Sequence, residues 1–455
     1  MRTPEPERCS LLTECLSWEN KKMNTDILIV GSGVAGLYCG LNLPEEKHIV
    51  IVTKDEAPKS DSFLAQGGIC VLRSEEDYNS FYEDTMRAGH YENNPDSVDI
   101  MIRSSQDVIE DLVSFGVRFE KNGEEFLYTR EGAHSKPRIL FHEDETGKEI
   151  TSRLLETARN RKNITLIENF TMVDLLCDGN CCRGIVGHDA KGRYTTVSAD
   201  YTVLATGGIG GLFKHSTNYR HLTGDALALA LKYQIKLNHI DYIQIHPTTL
   251  YTEKDGREFL ISESVRGEGA VLLNAKGERF VNELLPRDVV ANAIYEEMKK
   301  EGSQHVWLSF APIPEEEIKS HFPHIYQHCL EEGYDVTKES IPVVPSQHYF
   351  MGGIDVDRHS KTSMKRLYAV GETACNGVHG RNRLASNSLL ESLVFAGRAA
   401  RHIAAHYTPL LCRPVPAADQ SRYQGYQEEY RKLVLEAIEK ERQSHECYHN
   451  ETECG

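Results

Sequence analysis

Residues Asp26 to Leu43 read DILIVGSGVAGLYCGLNL, and HIVIVTK follows at His48 to Lys54. Two apolar runs of strand length flank a glycine turn and an apolar segment of helix length. This is a βαβ unit, and it commits the chain to a parallel sheet with a covering helix. Gly31, Gly33 and Gly36 stand in G-x-G-x-x-G spacing, with Ser32 and Ala35 between them. Glycine allows the tight turn and lets a pyrophosphate approach the helix N-terminus. The motif follows a strand and opens a helix, which is the context a dinucleotide site needs. One expectation fails: the second strand should end on an acid that holds a ribose, and it ends on Thr53 and Lys54. The unit therefore favours a dinucleotide fixed differently from NAD.

Further pieces of the same sheet lie far along the chain. YTVLATGGIGGLF (Tyr201 to Phe213) is an apolar strand running into Ala205, Thr206, Gly207 and Gly208, and RLYAVGETACNGVHG (Arg366 to Gly380) is a strand ending at Gly371 and Glu372. A fold assembled from separated segments implies an insertion. We expect an N-terminal extension at 1–22, a dinucleotide-binding domain in two parts (23–240 and 352–407), an inserted α+β capping domain at 241–351, and a short helical tail at 408–455. Within the insertion, PRDVVANAIYEEMKK (Pro286 to Lys300) reads as a helix with proline at its start, where the missing N–H costs nothing. Asp419 to Gln443 reads as one helix with charged i,i+4 neighbours. Residues 1–22 are polar and charged, the composition of a disordered segment, and the strand pattern starts at Met23, a plausible initiator.

The formal charge of −17 (51 basic, 68 acidic residues) offers no net positive field for phosphates, which disfavours nucleic acid, and no nucleic-acid partner is expected. An anionic substrate needs a local cluster of cations. No apolar run is long enough to span a bilayer. The twelve cysteines show no C-x-x-C pair, and we read them as reduced thiols of a cytoplasmic protein. His445, Cys447, His449 and Cys454 crowd the C-terminus, where the bland reading is a polar tail and no metal site is expected.

KSDSFLAQGGICV (Lys59 to Val71) adds Ser60, Ala65, Gln66, Gly67 and Gly68. With G-S-G-V-A-G, L-A-T-G-G, I-H-P-T, R-G-E-G, P-R-D, H-Y-F-M-G-G, G-E and N-R-L-A-S-N-S-L-L-E, the chain resembles the succinate dehydrogenase and fumarate reductase flavoproteins, and within them the aspartate-oxidising branch. The resemblance runs in order from about residue 25 to about residue 405. It implies a Rossmann-like FAD-binding domain, a capping domain, and a dicarboxylate bound between them. The implied FAD contacts are the residues named in these motifs together with Thr53, Lys54, Asp225, Glu372, Asn387, Ser388 and Leu389. Where membrane-complex members bond a histidine to the flavin, this chain has Asp61, so noncovalent FAD is expected.

On the substrate side the resemblance implies His246, Thr248, Ser262, Glu263, His348 and Arg383. It assigns proton transfer to Arg287, although an arginine with pKa above ~12 is an unusual acid or base. Each has a plainer reading: a structural histidine, a helix cap at Ser262, an ion pair of Arg287 with Asp288. The stretch YTREGAHSKPR (Tyr128 to Arg138) sets Glu131 among Arg130, His134, Lys136 and Arg138. Alone, it suggests a surface ion pair of little worth. The resemblance makes Glu131 the group that senses a substrate ammonium, with the surrounding cations supplying the field that makes its charge necessary. The implied reaction is hydride transfer from the α-carbon of L-aspartate to flavin N5, giving iminoaspartate. Oxygen or fumarate takes the electrons, and the product enters quinolinate and NAD biosynthesis, with quinolinate synthase as a possible partner. Two alternatives stay open: an electron-transferring flavoprotein subunit of succinate dehydrogenase or fumarate reductase, and a non-catalytic FAD-binding protein.

Overall fold

The strand Met23–Val30 lies at the centre of the larger sheet because it is apolar on both faces. Ile27 and Ile29 point into one core, Leu28 and Val30 into the other, as the period of two dictates. In the computed structural model, which describes residues 23–254, 256–410 and 419–452, this strand pairs in parallel with Ile49–Val52 and Tyr194–Leu204. Ile164–Ile167 and Leu367–Ala369 extend the parallel run on either side. The eleven-residue strand Tyr194–Leu204 serves two neighbours: its first half pairs antiparallel with Cys182–Asp189, its second half parallel with Leu367–Ala369. The helices Val34–Leu41, Thr146–Asn160 and Asn387–Ala405 cover one face, and Asp225–Lys232 with Tyr426–Thr452 cover the other. The α/β fold class and the βαβ opening are as the sequence predicts.

A second, antiparallel sheet has the order 259–260, 243–250, 341–350, 306–309, 271–273. It has its own core, built on Ile294, Leu308, Ile325 and Val343. The chain passes between the two sheets at a small three-stranded ladder of 237–238, 353–355 and 374–375. Gly352 packs there against the His239 carbonyl; a Cβ on it would stand 1.9 Å from that oxygen.

Two expectations about helix bounds need correction. The tail is not one helix from Asp419: a short 3₁₀ turn at Gln420–Tyr423 ends at Gly425, whose φ of +73° stops it, and the helix proper is Tyr426–Thr452. The helix of the insertion is Arg287–Glu301, so Pro286 is its N-cap. His246 and Thr248 lie within the strand Ile243–Leu250, whose register shifts at both Gln244/Ile245 and His246/Thr249. Such bulges re-aim side chains out of the strict alternation. The N-terminal extension and Cys454 lie outside the described residues, as do the side chains of Cys447 and His449.

Candidate active site

One continuous cavity of about 380 Å³ runs from the glycine turn to the second sheet. At its glycine end, Gly31 has φ +119°, and a Cβ on it would stand 2.0 Å from the Ala205 carbonyl. Only glycine can hold the first strand that close to the third. Gly36 packs its helix onto Gly31 in the same way but does not reach the cavity, and Gly208 sits behind the Glu372 carboxyl. The N-cap Gly33 has no side chain to bond the helix that opens after it; the Val34 N–H donates to Ser62 Oγ at 3.3 Å, and the N–H groups that follow it in the first turn suit an anion. Ser32 donates to the Thr53 hydroxyl at 3.0 Å, tying the turn to the second strand. Lys54 donates to Asp225 at 2.8 Å, so an acid from a later helix start stands beside the end of the second strand.

Farther along, Ser60 Oγ, Asp61 Oδ2 and Gln66 Oε1 are buried without a protein partner on the cavity wall. Buried polar atoms require partners. Together with the glycine cradle and the uncapped starts of the helices Val34–Leu41 and Asn387–Ala405, they fit a long, polar, anionic occupant such as FAD. Ala35, Ala65, Gly67, Gly68, Thr206, Gly207, Ser388 and Leu389 line the same wall, whereas Asn387 turns away and donates to Thr85. Burial pushes the Asp61 carboxyl up to about 7. Burial first, and then the Asp61 charge, push Glu372 up to about 8. Both sites bind protons more tightly folded than unfolded, so their contribution is complete below the unfolded pKa and is lost as pH rises through the folded one. Flavin-free protein is expected to lose stability from about pH 4 to about pH 8 for this reason, and Glu372→Gln to flatten the upper part. Denaturant midpoints at several pH values check this; an equal slope in both proteins counts against it.

At the other end the substrate-side residues converge. Arg287 donates from Nε to Glu263 at 2.5 Å and from Nη1 to Gln244 Oε1 at 2.8 Å. Arg383 donates to the same Gln244 oxygen at 3.3 Å and to Ser388 Oγ at 2.7 Å, and lies 4.3 Å from the Tyr349 ring centroid. Burial and the facing Arg287 lower Arg383 to about 10. The plainer reading of Arg287 fails, because Asp288 faces His90 and Asn382 instead. His246 Nδ1 lies 3.2 Å from the Thr248 nitrogen and 3.1 Å from the Thr248 carbonyl oxygen, leaving Nε2 buried and unpartnered beside His348, with ring centroids 5.1 Å apart. Burial, then Arg287, hold both imidazoles well below the usual histidine range, so both are neutral. His348 pairs through Nδ1 with Thr217. Ser262 caps the helix Glu263–Gly267 and also lines the cavity; Thr248 is spent on the Ile261 carbonyl and does not.

Glu131 is 4% exposed and faces this cluster. It accepts from Ser386 Oγ at 2.5 Å and Ser264 Oγ at 3.1 Å. Burial, and next the charge of Glu263, raise its pKa. The cations beside it in sequence do not make its field. Arg138 is fully buried against Asp77 and Asp84, Lys136 is half-exposed near Asp77, and His134 is lowered to about 4 by burial and Arg138. The positive field comes from Arg287, contributed by a distant helix. That expectation is corrected: residues adjacent in a loop point in different directions, and of these five only Glu131 lines the cavity. Gln244, Ser264 and Ser386 were not singled out from the sequence. Gln244 lies two residues before His246 on one strand, a same-face spacing that could have pointed to it.

The family description "FAD binding domain" matches residues 26–389. An L-aspartate oxidase of Clostridium perfringens is 54% identical over 383 residues, covering 84% of this chain and 87% of that one. This chain belongs to the L-aspartate oxidase family. The L-aspartate oxidase of Clostridium acetobutylicum is 51% identical over 84% of this chain and 88% of its own length. Among solved structures, FrdA of E. coli quinol fumarate reductase superposes with TM-score 0.81 at 27% identity, covering 90% of this chain and 74% of that one. Mycobacterium smegmatis Sdh1 in complex with UQ1 gives 0.74 at 31% identity, covering 89% and 72%. The α/β flavoprotein fold and FAD as cofactor follow for this L-aspartate oxidase family member. No helix among the described residues is long and apolar enough to cross a membrane.

Proposed function

We propose that the protein oxidises L-aspartate to iminoaspartate, and that Glu131 is what selects an amino acid over a plain dicarboxylate. When bound, FAD supplies a two-electron acceptor at N5 that oxygen or fumarate can reoxidise. Arg383, Arg287 and the Nε2 of His246 offer donors to two carboxylates, and each guanidinium has more N–H groups than its protein partners use. Gln244 accepts from both arginines and fixes their spacing. A substrate ammonium entering this field meets two carboxyls, and since Glu263 is already held by Arg287, Glu131 is the one left to receive it. Hydride loss from the α-carbon needs the nitrogen lone pair, so the ammonium must first shed a proton. A carboxyl whose pKa is raised by burial is a competent acceptor, at the Oε atoms held by Ser264 and Ser386. Arg287, Glu263 and Arg266 form a second relay, with contacts of 2.5 and 3.5 Å. That relay serves the fumarate half-reaction, in which a carbon takes up a proton.

The observation that carries this reading is the buried Glu131 facing two arginines. The test is anaerobic: L-aspartate should bleach the visible flavin absorbance, and succinate should not. Bleaching by succinate alone sinks the reading. We also propose that FAD is held noncovalently, because Asp61 offers no linkage; acid precipitation should then leave the yellow colour in solution. An imine hydrolyses readily in water, which supports prompt use of the product by a quinolinate-forming enzyme at the start of NAD biosynthesis. The seven cysteines whose side chains are described are free thiols, which supports a cytoplasmic location.

A further inference from the structure

Outside the cavity lining, Glu441 and His445 of the helix Tyr426–Thr452 lie against the point where the chain crosses between its two sheets. His445 Nδ1 lies 2.7 Å from Asp241 Oδ2. Glu441, one helical turn before His445 and on the same face, brings a second carboxylate. One ligand atom from each of the three residues lies within 4.8 Å of the others. An ion pair of His445 with Asp241 would account for one contact. It leaves two carboxylates side by side, and it leaves Asp241 Oδ1 unpartnered, although that atom is buried and the side chain is only 10% exposed. A buried carboxylate oxygen without a donor is costly, and two adjacent like charges add to the cost. A divalent cation resolves both.

We propose that Asp241, Glu441 and His445 form a divalent metal site that ties the C-terminal helix to the crossing between the sheets. One imidazole and two carboxylates suit Zn²⁺ or Co²⁺ better than Ca²⁺ or Mg²⁺, which prefer all-oxygen sites. The remaining coordination positions go to water. Asp241 is placed for a mechanical role. It follows the ladder strand Leu237–Asn238 and precedes Ile243–Leu250, and the returning chain packs on His239 beside it. The bound ion anchors the helix at the hinge through which the second sheet joins the first. The site departs from the reading of the tail as merely polar, and it does not depend on the aspartate chemistry.

The test uses untagged, FAD-loaded full-length protein freed of metal with a chelator. Calorimetric titration with Zn²⁺ should give one site per chain, and Zn²⁺ should raise the melting temperature by about 5 °C at saturating concentration. Asp241→Asn and Glu441→Gln should each weaken binding about 100-fold with flavin content unchanged. Glu441→Gln lies on a partly exposed helix face, so it keeps the test valid if Asp241→Asn misfolds. Co²⁺ should give a visible spectrum without the intense thiolate charge-transfer band that a Cys447 ligand would add. No stoichiometric binding, binding undiminished in Glu441→Gln, or binding lost only in Cys447→Ser with His449→Gln overturns the proposal.

Discussion

In a Glu131→Gln variant, the rate at which L-aspartate reduces the bound flavin is expected to fall about 10³-fold, while reoxidation by fumarate stays within about twofold. The magnitude follows from Coulomb's law: an ammonium 4 Å from a carboxylate, at an effective dielectric near 20, gains about 4 kcal/mol, which is about three orders of magnitude. Glutamine keeps the shape, and Ser264 and Ser386 can still bond its amide oxygen, so the pocket stays formed. The fold should not suffer, because the substitution removes a buried carboxyl whose pKa is raised by its neighbour Glu263. Stopped-flow measurement of the two half-reactions separates the outcomes. Equal losses with aspartate and fumarate would mean that Glu131 only shapes the pocket.

Arg287→Lys is expected to do the reverse. Reoxidation by fumarate should slow about 10³-fold, within the range for losing a positioned proton donor. Reduction by aspartate, which places no proton on carbon, should lose about tenfold through poorer carboxylate orientation. Lysine keeps the positive charge beside Glu263, but its ammonium lacks the planar fork that reaches Glu263 through Nε and Gln244 through Nη1. The retained charge also avoids stranding Glu263, since removing one partner of a buried pair costs about 3–5 kcal/mol. The visible spectrum of the purified variant reports bound FAD. Fumarate turnover at the parent rate would remove Arg287 from the proton path. The two variants together form a double dissociation that a generic binding defect cannot mimic.

Those two residues also show what the tertiary structure adds to the pattern of the chain. Arg287 was expected to act on the substrate, and the structure turns it inward, off the neighbouring Asp288. Its partner Gln244 lies 43 residues away, and the local pattern marks that glutamine only by its place two residues before His246. Glu131 was expected to sit in a field made by its loop neighbours. The structure instead gives those neighbours to Asp77 and Asp84 and brings the field from the second sheet's helix.

The sequence by itself determined the βαβ opening, the need for glycine at Gly31, the separation of the sheet into distant segments, and the set of cations and hydroxyls available. These follow from backbone sterics and from the two-residue and 3.6-residue periods, which act over a few neighbours. Only the tertiary structure decided which way each polar side chain turns: the strand shifts around His246, the sharing of Gln244 by two arginines, the burial of Glu131, and the seating of His445 on Asp241. Such choices depend on contacts between groups tens to hundreds of residues apart, and burial fixes their charge states only once the whole fold has closed around them.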